Sequence, residues 1–165
     1  MLKPPEGDAG QQRSQEKIAT LEIDDFVLLS VVDKKPEMKV VGKKGKQFLD
    51  FEEFWDFNLV NYSTKGGGLK ALKTENNEES FFVSHGLRQE DAYFFDGGIK
   101  YRNADGMSFE AIEGVYRPKE RIFEAKGSFS AITKEGNFRG KDLYYDAVSG
   151  QLNAKFPKGK IWLDG

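Results

Sequence analysis

Acidic residues are the side chains in this sequence whose type and spacing could support catalysis. Glu110, Glu113, Asp142 and Asp146 recur at related positions in the second half of the chain. A pair of carboxyl groups could cleave a glycosidic bond by acting as general acid and base. Acidic residues that alternate with apolar ones are, however, typical of the solvated face of an antiparallel sheet. The spacing therefore favours surface carboxylates, and it identifies no acid and base for a reaction.

The sequence offers little for metal, nucleophilic or nucleotide chemistry. It contains no cysteine and one histidine, His85, which excludes thiolate sites and a conventional metal cage. Residues 65–68, Lys-Gly-Gly-Gly, lack the terminal Lys-Ser/Thr of a phosphate-binding loop and indicate a flexible turn. We therefore predict that the protein is not an enzyme, and that it has no catalytic residue, metal site or cofactor.

The lysines at positions 34, 35, 39, 43, 44 and 46 form the one basic concentration. They could bind the phosphates of an anionic glycolipid headgroup. They could equally protect an exposed strand from pairing with other chains, and this second interpretation is favoured. The whole chain carries a net charge of −2 with a pI near 5.6, so no global positive field attracts nucleic acid.

Length and composition indicate one β-rich domain. The 165 residues include 14 Phe, 6 Tyr and 18 Gly, and aromatic residues favour strands while glycine supplies turns and bulges. Residues 1–17 are polar and lack apolar periodicity, so they predict a disordered tether or a non-native remnant ahead of a folded domain over 18–165. No apolar run approaches the roughly 20 residues that span a bilayer, and we expect any natural anchor to be absent from this chain.

Short apolar stretches separated by turn signals predict strands along most of the chain. Trp55, Phe57 and Leu59 alternate with polar residues, as in a strand with one solvated face. A short helix over 48–55 is the alternative, because aromatic side chains recur there at a spacing of three to four. The pair Asp105-Gly106 predicts a hairpin. Such strand–turn units are typical of a sandwich, jelly roll or barrel.

The C-terminal half contains an internal repeat. An offset of 29 residues places Phe109 over Phe138 and Tyr116 over Tyr145. Each unit is predicted to consist of a strand, a short turn and a returning strand. The first returning strand, 123–131, and the second, 152–156, each place alternating large and small residues on one face. Such units must stack on neighbours to bury that face, which predicts an elongated sheet with open end strands.

Two segments resemble the LptC family of lipopolysaccharide-transport proteins. Residues 136–146, Gly-Asn-Phe-Arg-Gly-Lys-Asp-Leu-Tyr-Tyr-Asp, are similar to the last repeat of that family. Residues 123–129, Phe-Glu-Ala-Lys-Gly-Ser-Phe, match a family strand that contains a glycine before its next apolar residue. The region around Phe54 and Trp55 resembles the family's early aromatic strand. The resemblance covers roughly residues 21–163.

The resemblance implies a twisted antiparallel β-jelly roll with open edge strands and a hydrophobic groove. It implies a lipopolysaccharide-binding carrier, which receives the lipid from an inner-membrane ABC transporter and passes it to the periplasmic bridge protein LptA. The strand from Leu152 to Leu163 would offer its edge to LptA by strand addition. It also implies a periplasmic location, with a tether to the inner membrane through a segment absent from this chain.

The side chains predicted to line the lipid groove are apolar or aromatic and recur on the inward face of the repeats. They are Phe54, Trp55, Phe94, Tyr101, Tyr116, Phe123, Ala125, Phe129, Leu143, Tyr145, Leu152, Ala154 and Phe156. Gly127 and Gly140 are predicted to be structural glycines.

Three alternatives remain open. The chain could be an LptA-like bridge, which shares the same repeat. It could be a β-repeat module that assembles through its edges around a closed core, because a groove and a core have the same apolar pattern. It could also be a carbohydrate-binding or carbohydrate-active β-sandwich that presents Trp55 or Trp162 to sugars.

Overall fold

The computed structural model describes residues 18–62 and 78–161, which form nine β-strands. The strands are β1 (Leu21–Val32), β2 (Lys35–Gln47), β3 (Glu52–Asn61), β4 (Glu79–Gln89), β5 (Ala92–Asn103), β6 (Ser108–Arg117), β7 (Ile122–Ile132), β8 (Gly136–Asp146) and β9 (Gln151–Ile161). Every strand pairs antiparallel with its neighbour in the chain, so β1 and β9 are the edges of one sheet. The all-β prediction with open edge strands is confirmed. The predicted tether, 1–17, and Trp162 and Leu163 lie outside the described residues.

Tight turns connect β1 to β2 and β5 to β6, the second at the predicted Asp105-Gly106 pair. Asp33 and Lys34 join β1 to β2 with φ angles of 52° and 65°, the left-handed conformation that matches strand twist in a two-residue hairpin. Residues 104–107, which include Asp105 and Gly106, join β5 to β6. The helix alternative over 48–55 is wrong, because residues 48–51 form a bend and the chain is extended from Glu52 onward. The described residues contain no helix that could cross a membrane.

A line of backbone irregularities crosses the sheet near the middle of its strands. Register shifts interrupt the pairing of β4 through β9 with their neighbours. Residues with positive φ lie on the same line: Asp25, Asp56, Gly97, Gly98, Gly127, Asp142 and Phe156. Bulges of this kind bend a strand and increase its twist. Because the bulges are aligned from strand to strand, the sheet folds along the line into two arms.

The two arms face each other across the interior. We call them the Glu79 arm, which includes residues 57–61, 79–83, 99–103, 108–111, 128–132 and 136–141, and the Tyr116 arm, which includes 85–89, 92–96, 113–117, 122–126 and 143–146. Aromatic rings meet between them: the Phe81 centroid lies 4.4 Å from that of Tyr116 and 5.3 Å from that of Phe95. The core of the protein is therefore one folded sheet packed against itself.

The bend recurs with the period of the sequence repeat. Gly98, Gly127 and Phe156 are spaced by 29 residues and have φ angles of 112°, 89° and 52°. A Cβ at position 127 would meet no atom within 4 Å, so backbone conformation alone favours glycine there. Gly140 has a different reason, because its Cβ would lie 2.7 Å from the carbonyl oxygen of Lys155. The two predicted structural glycines thus permit a left-handed bend and a close strand contact, respectively.

Three of the side chains predicted to point inward lie on the outer side of the sheet, two of them beside or at a bulge. Asp56 has a φ of 49°, so Phe54 and Phe57 are both buried inside while Trp55 faces the outer side of the sheet. Phe94 is 42 % exposed on the outer side, between the buried Tyr93 and Phe95. The third of these side chains, Phe156, lies on β9.

Phe156 is the residue of β9 at the bend, and its side chain is 74 % exposed. Leu152 and Ala154 on the same strand pack against the core. The positive φ of Phe156 ends the simple alternation that placed all three on one face. The prediction that Phe156 lies inward with them is therefore wrong.

Candidate functional site

The central part of the interior is closed. Phe81, Tyr101, Phe109, Tyr116 and Phe123 are each no more than 2 % exposed. Their rings form a continuous cluster, with the centroids of Tyr101 and Phe109 4.5 Å apart and those of Phe109 and Phe123 4.9 Å apart. Contacts of this kind between aromatic rings stabilise a packed interior beyond the area that they bury. The strands β4 to β7 therefore enclose a core rather than an open trough.

A buried polar network ties the two arms together beside this aromatic cluster. The Glu79 carboxylate accepts hydrogen bonds from the hydroxyls of Tyr101 and Tyr116, at 2.5 Å each, and from Nε of Arg121 at 3.0 Å. The side chains of Glu79 and Arg121 are 2 % and 6 % exposed. Asn61 donates to the Tyr116 hydroxyl at 2.8 Å. The network spans the Glu79 arm, the Tyr116 arm and the turn that follows β6.

The tyrosines of the network act as donors. Burial raises the pKa of the Tyr101 and Tyr116 hydroxyls well above the ordinary value, and the Glu79 carboxylate raises it further. Both hydroxyls therefore keep their protons and donate hydrogen bonds to Glu79. A buried carboxylate with an arginine and several donors is a satisfied group. Its role here is to hold the arms together.

The interior opens at its C-terminal flank. A cavity of about 660 Å³, which we call the interior cavity, lies between the arms beside β8 and β9. Met107, Phe129 and Phe138 line one wall, and Tyr145, Leu152 and Ala154 line the other. Asn103 and the Tyr145 hydroxyl bridge the walls at 3.0 Å. Because β9 is the edge of the sheet, no further described strand closes this flank.

The volume of the interior cavity and the apolar part of its lining suit an alkyl chain. The lining also includes the polar residues Asn103, Asp105, Thr133, Lys134, Glu135 and Asn153. Small-molecule sites typically have volumes of about 300–1,000 Å³ with mainly apolar walls and a few polar groups. The opposing side chains on β9, Leu152 and Ala154, are smaller than the aromatic residues that fill the centre, and they are partly exposed. The change from large to small side chains explains why the arms meet in the centre and part at this flank.

The predicted groove residues fall into three groups. Phe54, Tyr101, Tyr116, Phe123, Ala125 and Leu143 are buried in the closed core. Phe129, Tyr145, Leu152 and Ala154 line the interior cavity. Trp55, Phe94 and Phe156 point to the outside. The lipid contacts themselves remain a prediction, and the second group is the one that this geometry leaves accessible.

Sequence reasoning missed two sets of residues. Met107 and Phe138 line the cavity, and the position of Phe138 over Phe109 in the repeat was a usable signal. Glu79, Arg121 and Asn61 were missed because an isolated charged or amide residue in a strand or turn is most often solvated. The register that brings Arg121 to Glu79, 42 positions away, exists only in the folded sheet.

Two of the carboxylates that might have supported catalysis accept hydrogen bonds from the backbone instead. Asp142 accepts a hydrogen bond from the Gly127 amide at 2.9 Å and pairs with Lys155 at 3.3 Å, and the first of these contacts lowers the pKa of the Asp142 carboxyl most. Asp146 accepts bonds from the amides of Val148 and Ser149 in the β8–β9 turn. These interactions hold the bend and the turn in place.

His85 lies on the outer side of the sheet, next to the bend. Its Nε2 is 2.5 Å from Glu53 on β3 and its Nδ1 is 2.5 Å from Asp96 on β5. Partial burial opposes protonation, but hydrogen bonds to both carboxylates and their charges outweigh it, so the pKa of His85 is raised above 6.5. Among residues 18–62 and 78–161, no group of three or more side chains could hold a metal ion. His85 therefore links three neighbouring strands.

Protonation of His85 should make stability depend on pH. The raised pKa means that the contribution is fully present below pH 6.5 and is lost as pH rises through the folded pKa. We expect the free energy of unfolding in urea to fall in the native protein as the pH rises from about 6.5 through the raised pKa of His85. His85→Gln should remove this decline. An equal decline in both proteins would contradict the assignment.

The basic concentration on β2 does not form a single site. Lys44 and Lys46 place their Nζ atoms 5.9 and 5.6 Å from the ring centroid of Trp55, and Lys46 pairs with Glu22 at 3.2 Å. Cation–π and ion-pair contacts of this type stabilise an exposed strand pair. Trp55 is engaged by these cations and by the ring of His85, which disfavours its use as a sugar platform.

Comparisons with known proteins give a likeness to solved structures but not to protein families or curated proteins. No model of a protein family matches the chain, and no curated protein matches it. The crystal structure of LptH from Pseudomonas aeruginosa, the LptA-homologous periplasmic component of the conserved lipopolysaccharide transport device, is similar at 12% sequence identity and a TM-score of 0.36. The likeness covers 88% of this chain and 94% of that chain. No conclusion about this chain is drawn from a likeness at this TM-score.

Proposed function

We propose that this protein is a lipid carrier that holds alkyl chains of lipopolysaccharide in the interior cavity. The observation that carries the proposal is a cavity of about 660 Å³ that opens beside an edge strand, with the apolar side chains of Phe129 and Phe138 on one side and those of Leu152 and Ala154 on the other. Each methylene group removed from water there contributes about 0.8 kcal/mol. Contacts between an alkyl chain and these apolar side chains are not directional, so a bound chain can move on.

The proposed partners and location come from the resemblance of the sequence to the LptC family. The carrier would receive lipopolysaccharide from the inner-membrane ABC transporter and pass it to LptA, and it would act in the periplasm, tethered to the inner membrane. Assignment to the LptC type or to the LptA type depends on which partner binds each edge strand. Pull-down of the transporter and of LptA with proteins altered at β1 or at β9 would distinguish them.

Photo-crosslinking tests the lipid contact. A benzophenone amino acid at Leu152 should crosslink to purified lipopolysaccharide, because this side chain lines the interior cavity. The same group at Phe94, which is 42 % exposed on the outer side, is the matched control and should give little product. Equal crosslinking at the two positions, or none at Leu152, would reject the cavity as the binding site.

A second candidate, an assembly module without lipid passage, is supported by β1. This edge strand carries exposed apolar side chains on both faces, among them Val27 at 62 % and Leu28 at 44 %. An exposed apolar edge promotes pairing with another strand. Concentration-dependent oligomers in light scattering, together with no crosslinking at Leu152, would favour this function.

A further inference from the structure

The outer side of β8 and β9 carries an unusual concentration of positive charge. The two strands contain five basic residues and two acidic ones, whereas the whole chain has a net charge of −2. The basic residues, which we call the cationic strip, are Arg139, Lys141, Lys155, Lys158 and Lys160. All five are exposed.

The pairing of the strands sets these charges against one another. Arg139 lies directly opposite Lys158, and Lys141 lies directly opposite Lys155. Like charges at directly opposite positions destabilise a sheet. Of the five, Lys155 has an ion pair within the described part of the chain, with Asp142 at 3.3 Å. The pairing of β8 with β9 therefore does not favour this arrangement. A bound anion would offset the repulsion, and lysines on an edge strand also hinder its pairing with other chains.

A second cavity lies on the same surface. It has a volume of about 600 Å³, and we call it the outer cavity. Arg139, Lys158 and Lys160 line it together with Ser130 and Asn137. Guanidinium and ammonium groups with nearby hydroxyl and amide donors form the chemistry that binds phosphoryl oxygens.

The outer cavity and the interior cavity lie on opposite faces of β8 and β9, at the edge of the sheet. Phe138 lines both. Pro157 lines the interior cavity, and the next residue, Lys158, lines the outer one. No described strand covers the free edge of β9. An amphiphile can therefore place its chain inside and its headgroup around the edge, where long lysine side chains reach it.

From this geometry we infer that the cationic strip binds the phosphoryl headgroup of the amphiphile whose alkyl chain occupies the interior cavity. The inference rests on the proposed lipid-carrying function and adds the chemistry of the headgroup to it. Affinity then comes from apolar burial on one face of β8 and β9 and from charge on the other. A phosphorylated lipid is retained over a neutral lipid with the same chain.

Three probes separate the two contributions. Lysophosphatidic acid and monoacylglycerol with the same acyl chain differ by the phosphate, and glycerol 3-phosphate lacks the chain. We expect the intact protein to bind lysophosphatidic acid at least about tenfold more tightly than monoacylglycerol, and glycerol 3-phosphate weakly. Added salt should weaken binding of lysophosphatidic acid and leave that of monoacylglycerol unchanged.

Variants that lack charges of the cationic strip test whether the phosphate binds there. The triple variant Arg139→Gln, Lys158→Gln, Lys160→Gln should lose this preference, with an unchanged Kd for monoacylglycerol. The matched control Lys34→Gln, Lys35→Gln, Lys39→Gln removes three charges from β1–β2 and should keep the preference. Gel filtration of each variant reports any association through the altered edge.

The outcomes distinguish the two proposals. Failure of the intact protein to bind either lipid overturns the proposed function. Equal, salt-independent binding of both lipids overturns the headgroup site alone, as does a preference that survives in the triple variant. Self-association of the triple variant without loss of the preference would assign the lysines to protection of the edge strand. If glycerol 3-phosphate binds as tightly as lysophosphatidic acid, the strip is a phosphate site independent of the lipid.

Discussion

Replacement of Arg121 by methionine should lower the free energy of unfolding by about 3–5 kcal/mol, because it leaves a buried carboxylate without its cation. The Glu79 side chain is 2 % exposed and receives Nε of Arg121 at 3.0 Å. The hydroxyls of Tyr101 and Tyr116 still donate to Glu79 in the variant, but they carry no compensating charge. Urea unfolding followed by circular dichroism measures the loss.

An exposed ion pair provides the matched control. Arg117 and Glu124 lie 3.1 Å apart, with side chains that are 44 % and 52 % exposed. Arg117→Met should cost less than about 1 kcal/mol, since solvent screens this pair. The double variant Arg121→Met, Glu79→Gln should recover part of the loss because it removes the unpaired charge. Equal effects at Arg117 and Arg121 would mean that the Glu79 network does not hold the arms together.

The fold was predictable from the sequence where local signals and the repeat agreed. Asp33-Lys34 and Asp105-Gly106 mark hairpins by their own conformational preferences. The large-small alternation of 123–131 and the repeat at 29 residues indicated stacked hairpins, and the structure has them as β6–β7 and β8–β9. Such features depend on neighbours within a few positions, so one sequence is sufficient to indicate them.

The bend was not predictable in the same way. Only some of its positions are glycine, and Asp56 and Phe156 adopt positive φ without that signal. A bulge can move the side chains on one side of it to the opposite face, which is why the simple alternation placed Trp55 and Phe156 inside. The bulges are aligned across strands by pairing, and pairing is a property of the sheet rather than of any one segment.

The candidate site was predictable in its residue types but not in its extent. Aromatic residues on the inward face mark both a packed core and a groove. The structure distinguishes them by what stands opposite: rings meet rings from Phe81 to Tyr145, whereas Leu152 and Ala154 leave space. This distinction needs the fold of the sheet along the bend, which brings residues of non-neighbouring strands together.

Phe81→Ala is expected to lower the free energy of unfolding by about 3–5 kcal/mol, the usual cost of a cavity in place of a buried ring. The Phe81 side chain is 0 % exposed, and its ring packs between Tyr101 on its own arm and Phe95, Tyr116 and Phe123 on the other. Because these rings belong to both arms, the truncation removes contacts that close the centre of the interior.

The next residue in the chain supplies the control for that change. Phe82 is on the opposite face of β4 and is 46 % exposed, so Phe82→Ala should change stability by less than about 1 kcal/mol. Both variants remove the same atoms from adjacent positions of one strand, and urea unfolding compares them directly. If Phe82→Ala were as costly as Phe81→Ala, the outer side would be packed as tightly as the interior, and the assignment of inside and outside to this folded sheet would have to be reversed.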